Sequence, residues 1–457
     1  MNRVRSRAKI MLIFLSVLIG GMLFFLGEYS VKAADWVTFK GSPHVYQGSA
    51  NVSAMVTDRD GTVLLDTRDG RKYADSLSLR KSTLHWLGDR QGNIRATALN
   101  TYTADLVGYD SIQGIYNYTQ QPGQLELTIS ARVQNAALKA MGSRKGTVAV
   151  YNYKTGQILC AVSTPSFDPD NVPDIAGDET GAYEGVYMNR FTQVTYPPGS
   201  IFKIVTTAAA LDSVKGIENM EFTCDGTYEL QGSRVTCEVS HGTLDLTSAF
   251  ARSCNCSFAQ IAQLIGSEKL MGYAEQFGIT HSIRFDGITT AQGKFDLTDA
   301  DKVALAWSAI GQYTDMVNPC AYMTFMGAIA SGGQGAQPYI VQQVMAGDQI
   351  TYQAQTQYGS RVMDEKLAGR LQEMMRNNVQ SIYGAANFPG LTVCAKSGTS
   401  ELGGDKKPNA MFSGFVTDEA YPLAFIVVVE NGGYGSHTCV PILSAVLAEC
   451  KAVLDGN

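Results

Sequence analysis

Tyr196-Pro197-Pro198-Gly199-Ser200-Ile201-Phe202-Lys203 opens an apolar run that continues to Leu211, and the way this segment folds decides the reading of the chain around it. Two prolines and a glycine turn the chain sharply, and the uninterrupted apolar stretch from Ile201 reads as a helix. Ser200 then falls in the first turn, with its amide unsatisfied by the helix. Lys203 stands three positions on and shares its face. A hydroxyl and an amine are neighbours by backbone geometry alone. The plainer reading of such a pair is a serine N-cap with a solvated lysine nearby, so the decision rests on what else the chain brings to the place.

A serine hydroxyl is a poor nucleophile until an adjacent base takes its proton. None of the histidines (His44, His85, His241, His281, His437) is suitably placed in sequence, which leaves Lys203 as the base. It must then be neutral, which calls for burial and a second cation close by. Lys396 is the candidate for that cation, in Lys396-Ser397-Gly398-Thr399. This segment follows Leu391-Thr392-Val393 as if on a strand, where Gly398 lets a substrate backbone approach. Lys396 and Thr399 can hold a terminal carboxylate, and the amides of Ser200 and Thr399 can form an oxyanion hole. Between the two lies Ser253-Cys254-Asn255, at the junction of two helical patterns and so on a loop facing a cleft. Ser253 can relay a proton to a leaving group, and the Asn255 amide can orient substrate or Lys203. The candidate site is therefore Ser200, Lys203, Ser253, Asn255 and Lys396 for catalysis, with Ser397, Gly398 and Thr399 for substrate and oxyanion.

Each triplet alone is weak, because SxxK recurs at Ser6–Lys9 and Ser78–Lys81, SxN at Ser49-Ala50-Asn51 and KTG at Lys154-Thr155-Gly156. Context separates the copies. Ser6 lies in a basic N-terminal segment, Ser78 in a polar stretch without a clear apolar stripe, and Lys154-Thr155-Gly156 in a hairpin turn that needs its glycine for backbone freedom.

The 457 residues suggest two or three structural units. A net charge of −6 and a pI near 5.5 argue against a nucleic-acid partner. Arg3, Arg5, Arg7 and Lys9 precede the uncharged run Ile10–Leu26, long enough to cross a bilayer core. Basic residues on its N-terminal side put residues 1–9 in the cytoplasm, make residues 10–26 the transmembrane anchor and place everything after Glu28 outside. A cleaved signal ending at Val31-Lys32-Ala33 is the alternative, disfavoured because secretory apolar regions usually run about 7–15 residues. Nine cysteines include one candidate bridge, Cys224 with Cys237, flanking a strand-turn-strand pattern; two free thiols are the equal alternative. Without a CxxC pair or HExxH motif, neither a zinc site nor any cofactor is expected.

Residues 35–124 read as a small β-rich module, with the Asp60-Gly61 hairpin signal between short strands. From Leu125 the pattern is mixed α/β. Strands are expected at Leu125–Ile129, Thr147–Tyr151, Gln157–Val162, Ala410–Val416 and Leu423–Glu430. Helices are expected at Arg132–Met141, Ile201–Leu211, Leu244–Ala251, Phe258–Phe277, Lys302–Ile310 and Pro441–Leu454. Strands at both ends with helices between give a sheet assembled from distant segments and covered by helices.

With SxxK, SxN and KSG in that order, Ser163-Thr-Pro-Ser-Phe-Asp-Pro169, Ala309-Ile-Gly-Gln312, Ala330-Ser-Gly-Gly333, Phe412-Ser-Gly-Phe415 and Val429-Glu-Asn-Gly-Gly433, the stretch from about Leu125 to Leu447 strongly resembles the class B penicillin-binding proteins. Residues 56–65 look like the family's DRxG hairpin. The resemblance implies an α/β (α+β) transpeptidase fold like that of the serine β-lactamases, with a five-stranded, mainly antiparallel sheet between helices. It implies a D,D-transpeptidase that attacks the penultimate D-Ala of a peptidoglycan stem peptide through Ser200 and passes the acyl group to an amine of a second stem. β-Lactam antibiotics would trap the same serine, and a polytopic peptidoglycan glycosyltransferase is the implied partner. The protein would be a single-pass membrane protein with its catalytic domain outside. Ile201 stands where the family commonly has threonine and Ala395 where it commonly has glycine; neither change removes a catalytic group. A D,D-carboxypeptidase or β-lactamase on the same triad remains open, as does a non-enzymatic β-lactam sensor or structural divisome protein.

Overall fold

Leu423–Val429, Asn409–Val416 and Ile158–Thr164 are buried along their whole length, and such strands need cover on both faces. The computed structural model describes residues 2–456 apart from 40–45, 48–49, 52–53, 69, 95–97, 117–122 and 405; His44 and Ser49 lie outside the described residues. The N-terminal part holds helix α1 (Asn2–Val37), strands β1 (Ala54–Thr57), β2 (Val63–Asp66) and β3 (Lys72–Tyr73), helix α2 (Leu77–Leu87) and strand β4 (Gly123–Leu127). Helix α3 (Ala131–Met141) and strands β5 (Gly146–Asn152) and β6 (Ile158–Thr164) follow. After them come α4 (Lys203–Ser213), β7 (Phe222–Cys224), β8 (Thr227–Leu230), β9 (Ser233–Thr236), β10 (Gly242–Leu244), α5 (Leu246–Ala251) and α6 (Asn255–Ile265). The C-terminal third carries α7 (Pro319–Ala330), β11 (Val341–Ala346), β12 (Gln349–Gln353), α8 (Glu365–Asn378), β13 (Val393–Ser400), β14 (Asn409–Val416), β15 (Leu423–Val429) and α9 (Gly435–Leu454).

Five strands form an antiparallel sheet in the order β13-β14-β15-β5-β6. Strand alternation divides its side chains between two cores. Val148, Val150, Phe425 and Val427 face a cluster shared with Val133 and Ala137 of α3 and with Leu443 and Leu447 of α9. Ala149, Tyr151, Ala424 and Ile426 face the other cluster, with Tyr322 and Phe325 of α7 and Ile204 and Ala208 of α4. The fold is thus the sheet between helical layers that the resemblance implies, and β13 is its edge.

A second sheet has six strands in the order β12-β11-β4-β1-β2-β3, with β1 and β4 parallel and the other pairs antiparallel. Strands from the N-terminal part are therefore completed by β11 and β12 from far along the chain. The Asp58–Thr62 turn adds a tie: Asp58 Oδ1 accepts from the amides of Asp60 (3.0 Å) and Thr62 (2.7 Å), and Oδ2 accepts from the Ala131 amide (2.8 Å) at the start of α3. Arg80 of α2 pairs with Asp168 at 2.7 Å.

The long apolar stretch of α1 is unburied throughout, as a membrane anchor would be. Helix α9 has comparable length and apolar character, yet it lies against the sheet as a core helix. Two expected boundaries move for local reasons. The helix read across Phe258–Phe277 breaks at Gly266, whose φ of +81° caps one helix and starts the next. The closing helix begins at Gly435, so Pro441 sits inside it rather than at its start.

Candidate active site

Gly199 adopts φ +54°, a region open to glycine at little cost, and Gly199–Phe202 makes one 3₁₀ turn before α4 begins at Lys203. Its neighbours leave no room for a side chain. A Cβ on Gly199 would lie 2.5 Å from the Thr399 carbonyl oxygen, one on Gly311 2.1 Å from the Gly199 oxygen, and one on Gly398 2.8 Å from the Pro198 oxygen. The Gly199 amide donates to the Gly311 carbonyl (2.8 Å), and Tyr322 Oη to the Ile201 carbonyl (2.7 Å). These contacts pin the turn to the sheet edge with the Ser200 side chain half-buried at the seam.

Lys203 is fully buried, its Nζ 3.0 Å from Ser200 Oγ, 2.7 Å from the Ser253 carbonyl oxygen, 2.7 Å from Asn255 Oδ1 and 3.1 Å from Ser253 Oγ. Burial first, and the Lys396 charge second, hold its pKa well below the ordinary lysine value. A neutral amine has two N–H groups and one lone pair. The two carbonyl oxygens can take the N–H groups, which leaves the lone pair for the Ser200 and Ser253 hydroxyls. Ser253 supports this from a strained position, φ +55°, which is uncommon for a residue with a side chain. Asn255 opens α6, and its Nδ2 donates to the Thr236 carbonyl of β9 (2.9 Å).

Lys396 is also fully buried, and burial pushes its pKa down to about 7. Its Nζ donates to Ser253 Oγ (3.1 Å) and the Ser397 carbonyl (3.0 Å), so Ser253 Oγ sits between the two amines. Along β13 the outward backbone groups alternate. The Ser397 amide donates to Tyr383 Oη (3.0 Å), and the Ala395 carbonyl accepts from Asn378 Nδ2 (3.0 Å). The same alternation turns the Thr399 amide away from β14, toward the Ser200 seam. The Ser397 hydroxyl lies 2.9 Å from Tyr383 Oη, and the Thr399 hydroxyl accepts from the Gly435 amide (3.2 Å). Ser200, Lys203, Ser253, Asn255 and Lys396 thus form one connected network, with Gly398 packed on the nucleophile turn and Ser397 and Thr399 along the strand beside it. The sequence reading missed Tyr322 and Tyr383, which hold this frame from remote positions and carry no motif; Gly311 lay in the quoted Ala309–Gln312 stretch, but its packing on the nucleophile turn was not read there.

Of the two readings of Cys224 and Cys237, a bridge or two free thiols, the structure holds the second: all nine cysteines are free. The hairpin β8–β9 does bring the pair together, since the Cys237 amide donates to the Gly226 carbonyl (2.9 Å). Each thiol has a different neighbour, however: Cys224 Sγ lies 3.5 Å from His241 Nδ1, and Cys237 Sγ lies 3.7 Å from Cys254 Sγ.

Residues 146–448 match the family described as the penicillin binding protein transpeptidase domain. The chain belongs to that family. It is 31% identical over 367 residues to the peptidoglycan D,D-transpeptidase PbpA of Mycobacterium tuberculosis, covering 73% of each chain. It is 26% identical over 404 residues to the stage V sporulation protein D of Bacillus subtilis, covering 82% of this chain and 59% of the relative. Among solved structures, a ceftriaxone acyl-enzyme complex of penicillin-binding protein A from M. tuberculosis superposes with a TM-score of 0.75 at 27% identity, over 87% of this chain and 98% of the other. The D,D-transpeptidase domain of a peptidoglycan glycosyltransferase from Eggerthella lenta gives 0.75 at 26% identity, over 88% and 98%. The chain is a class B penicillin-binding protein, a serine-type peptidoglycan D,D-transpeptidase and a β-lactam target.

Proposed function

We propose that the cross-linking acyl-enzyme forms on Ser200 with Lys203 as its base. The 3.0 Å approach of a fully buried Lys203 Nζ to Ser200 Oγ carries this reading. Lys203 takes the hydroxyl proton as Ser200 Oγ attacks the penultimate D-Ala carbonyl of a stem peptide. The amides of Ser200 and Thr399 receive the developing oxyanion. Ser253 Oγ, between Lys203 and Lys396, gives its proton to the departing D-Ala nitrogen and takes the one on Lys203, leaving an ester on Ser200 and Lys203 neutral again. An amine from a second stem then gives its proton to Lys203, attacks the ester carbonyl and releases Ser200, whose oxygen takes that proton back from Lys203. Lys396 and Thr399 hold the terminal carboxylate of the donor, or that of a β-lactam. Among the described residues no carboxylate is hydrogen-bonded to Ser200, Lys203, Ser253 or Lys396, which favours an amine over an activated water as acceptor.

With α1 as a retained anchor and its basic end in the cytoplasm, the catalytic domain works outside the membrane. A polytopic peptidoglycan glycosyltransferase as partner rests on family resemblance and is tested by co-purification from membranes. The deciding experiment is mass spectrometry of the protein after incubation with penicillin. One adduct on the peptide carrying Ser200, absent from Ser200→Ala, is expected; an adduct on another residue, or rapid loss of the acyl group to water, refutes the assignment.

A further inference from the structure

Four soft donors converge beside the Ser253–Asn255 turn, outside the network that handles the acyl group. Twelve residues separate Cys224 from Cys237, three separate Cys237 from His241, and twelve separate His241 from Cys254. The fold cancels that spacing. β7 pairs with β10 so that Cys224 lies opposite Gly242, and the His241 amide donates to the Cys224 carbonyl (3.0 Å). Cys237 returns at the foot of the β8–β9 hairpin. Cys254 enters from the other side, as the residue between Ser253 and Asn255. The three sulfurs and the imidazole nitrogen all lie within 4.8 Å of one another.

Two of their spacings match those of a coordination shell. A tetrahedral zinc with bonds of about 2.3 Å to sulfur and about 2.0–2.1 Å to nitrogen sets sulfurs about 3.8 Å apart and sulfur to nitrogen about 3.6 Å. The 3.7 Å between Cys237 and Cys254 sulfurs and the 3.5 Å from Cys224 Sγ to His241 Nδ1 agree with both. Disulfide partners would stand about 2.05 Å apart. The surroundings supply donors to the sulfurs, as metal-bound thiolates require. Cys237 Sγ accepts from the amides of Asn255 (3.1 Å) and Cys256 (3.4 Å), and Cys254 Sγ from the amide (3.4 Å) and hydroxyl (3.1 Å) of Ser257. The Cys256 thiol donates to the Val235 carbonyl (3.6 Å) and lies next to the cluster, beside Cys224 and Cys237.

We propose that Cys224, Cys237, His241 and Cys254 bind one zinc ion in a closed, structural site. Four protein ligands leave no position for substrate. The ion ties the hairpin to the turn whose two ends, Ser253 and Asn255, hold Lys203. It thus positions the base without touching the reacting atoms. The Asn255–Thr236 hydrogen bond is a second tie between the same pieces.

Metal content of the full-length chain, purified in detergent under reducing conditions without chelator, tests this. About one zinc per chain is expected, and cobalt(II) exchanged into the site should give an intense thiolate-to-cobalt charge-transfer band. Cys224→Ser and His241→Ala, both away from the turn, should lower zinc content at least about tenfold and slow acylation by labelled penicillin. Cys450→Ala should keep the metal. Should a variant fail to fold, zinc content and the cobalt spectrum of the unaltered chain still decide. Zinc-free protein with no cobalt band, or a Cys237–Cys254 disulfide in the protein as isolated, overturns the proposal. Metal content is read independently of acyl transfer, so this result stands apart from the role assigned to Ser200.

Discussion

Ser78–Lys81 and Ser200–Lys203 carry the same four-residue spacing, and both serines lie in the first turn of helical structure. At the first, Ser78 Oγ donates to Asn135 Oδ1 (2.9 Å), Lys81 is half-buried, and Lys81 contributes its backbone carbonyl to Ser166 Oγ (2.6 Å). At the second, the lysine is sealed from water, met by two carbonyl oxygens and faced by a second amine. Helical spacing places a hydroxyl near an amine in both copies. Only burial and the two oxygens turn one amine into a base, and these come from segments fifty and more residues away.

The largest break in this comparison is Lys203→Met set against Lys81→Gln. Removing a general base costs about 10²–10⁴-fold, so the second-order rate of penicillin acylation should fall by that factor in the first variant and stay unchanged in the second. Equal rates in both would show that Lys203 is not the base. Gly199→Ala asks whether the seam matters: a Cβ there meets the Thr399 oxygen at 2.5 Å at positive φ, a strain of about 1–3 kcal/mol. Calorimetry should show a melting temperature lower by a few degrees, accompanied by slower acylation.

The pH profile sharpens the electrostatic half. Acylation needs Lys203 neutral, so its rate should rise with pH through a pKa lying well below the ordinary lysine value and level off above it. In Lys396→Gln the second cause of that depression is gone. Lys203 then keeps its proton to higher pH, and the rising limb should move upward; a limb that stays in place or moves down would remove Lys396 from the explanation. Smallest of all, Tyr383→Phe deletes one acceptor for the Ser397 amide. At about 0.5–1.5 kcal/mol for a hydrogen bond, acylation should slow by roughly tenfold at most, with Ser200 still the labelled residue.

The motifs were legible in the sequence because they are local: a turn into a helix at Ser200, a loop at Ser253 and a strand at Lys396 each announce themselves within a dozen residues. The five-stranded sheet was legible too, since Leu423–Val429 and Ile158–Thr164 are long apolar runs. Ser78 was misread as lying in a polar stretch because α2 buries Ser82, Thr83 and His85 alongside Leu79, Leu84 and Trp86, and a polarity pattern cannot register buried polar residues. The six-stranded sheet was hidden for another reason. Nothing in Val341–Ala346 says that it pairs with Gly123–Leu127. The four donors around Cys254 escaped because their spacing matches no short metal motif; a hairpin and a two-strand ladder have to fold before they meet.

The interlocked glycines at 199, 311 and 398 bear on how the enzyme moves. With no side chain between the Ser200 turn and the edge strand, backbone touches backbone, and neither can slide without the other. Any motion that makes room for a bulkier ligand therefore carries α4 and β13 together as one lever and leaves the Ser200–Thr399 spacing fixed. The hinge for that motion has to lie outside the seam, in the segments that lead into it.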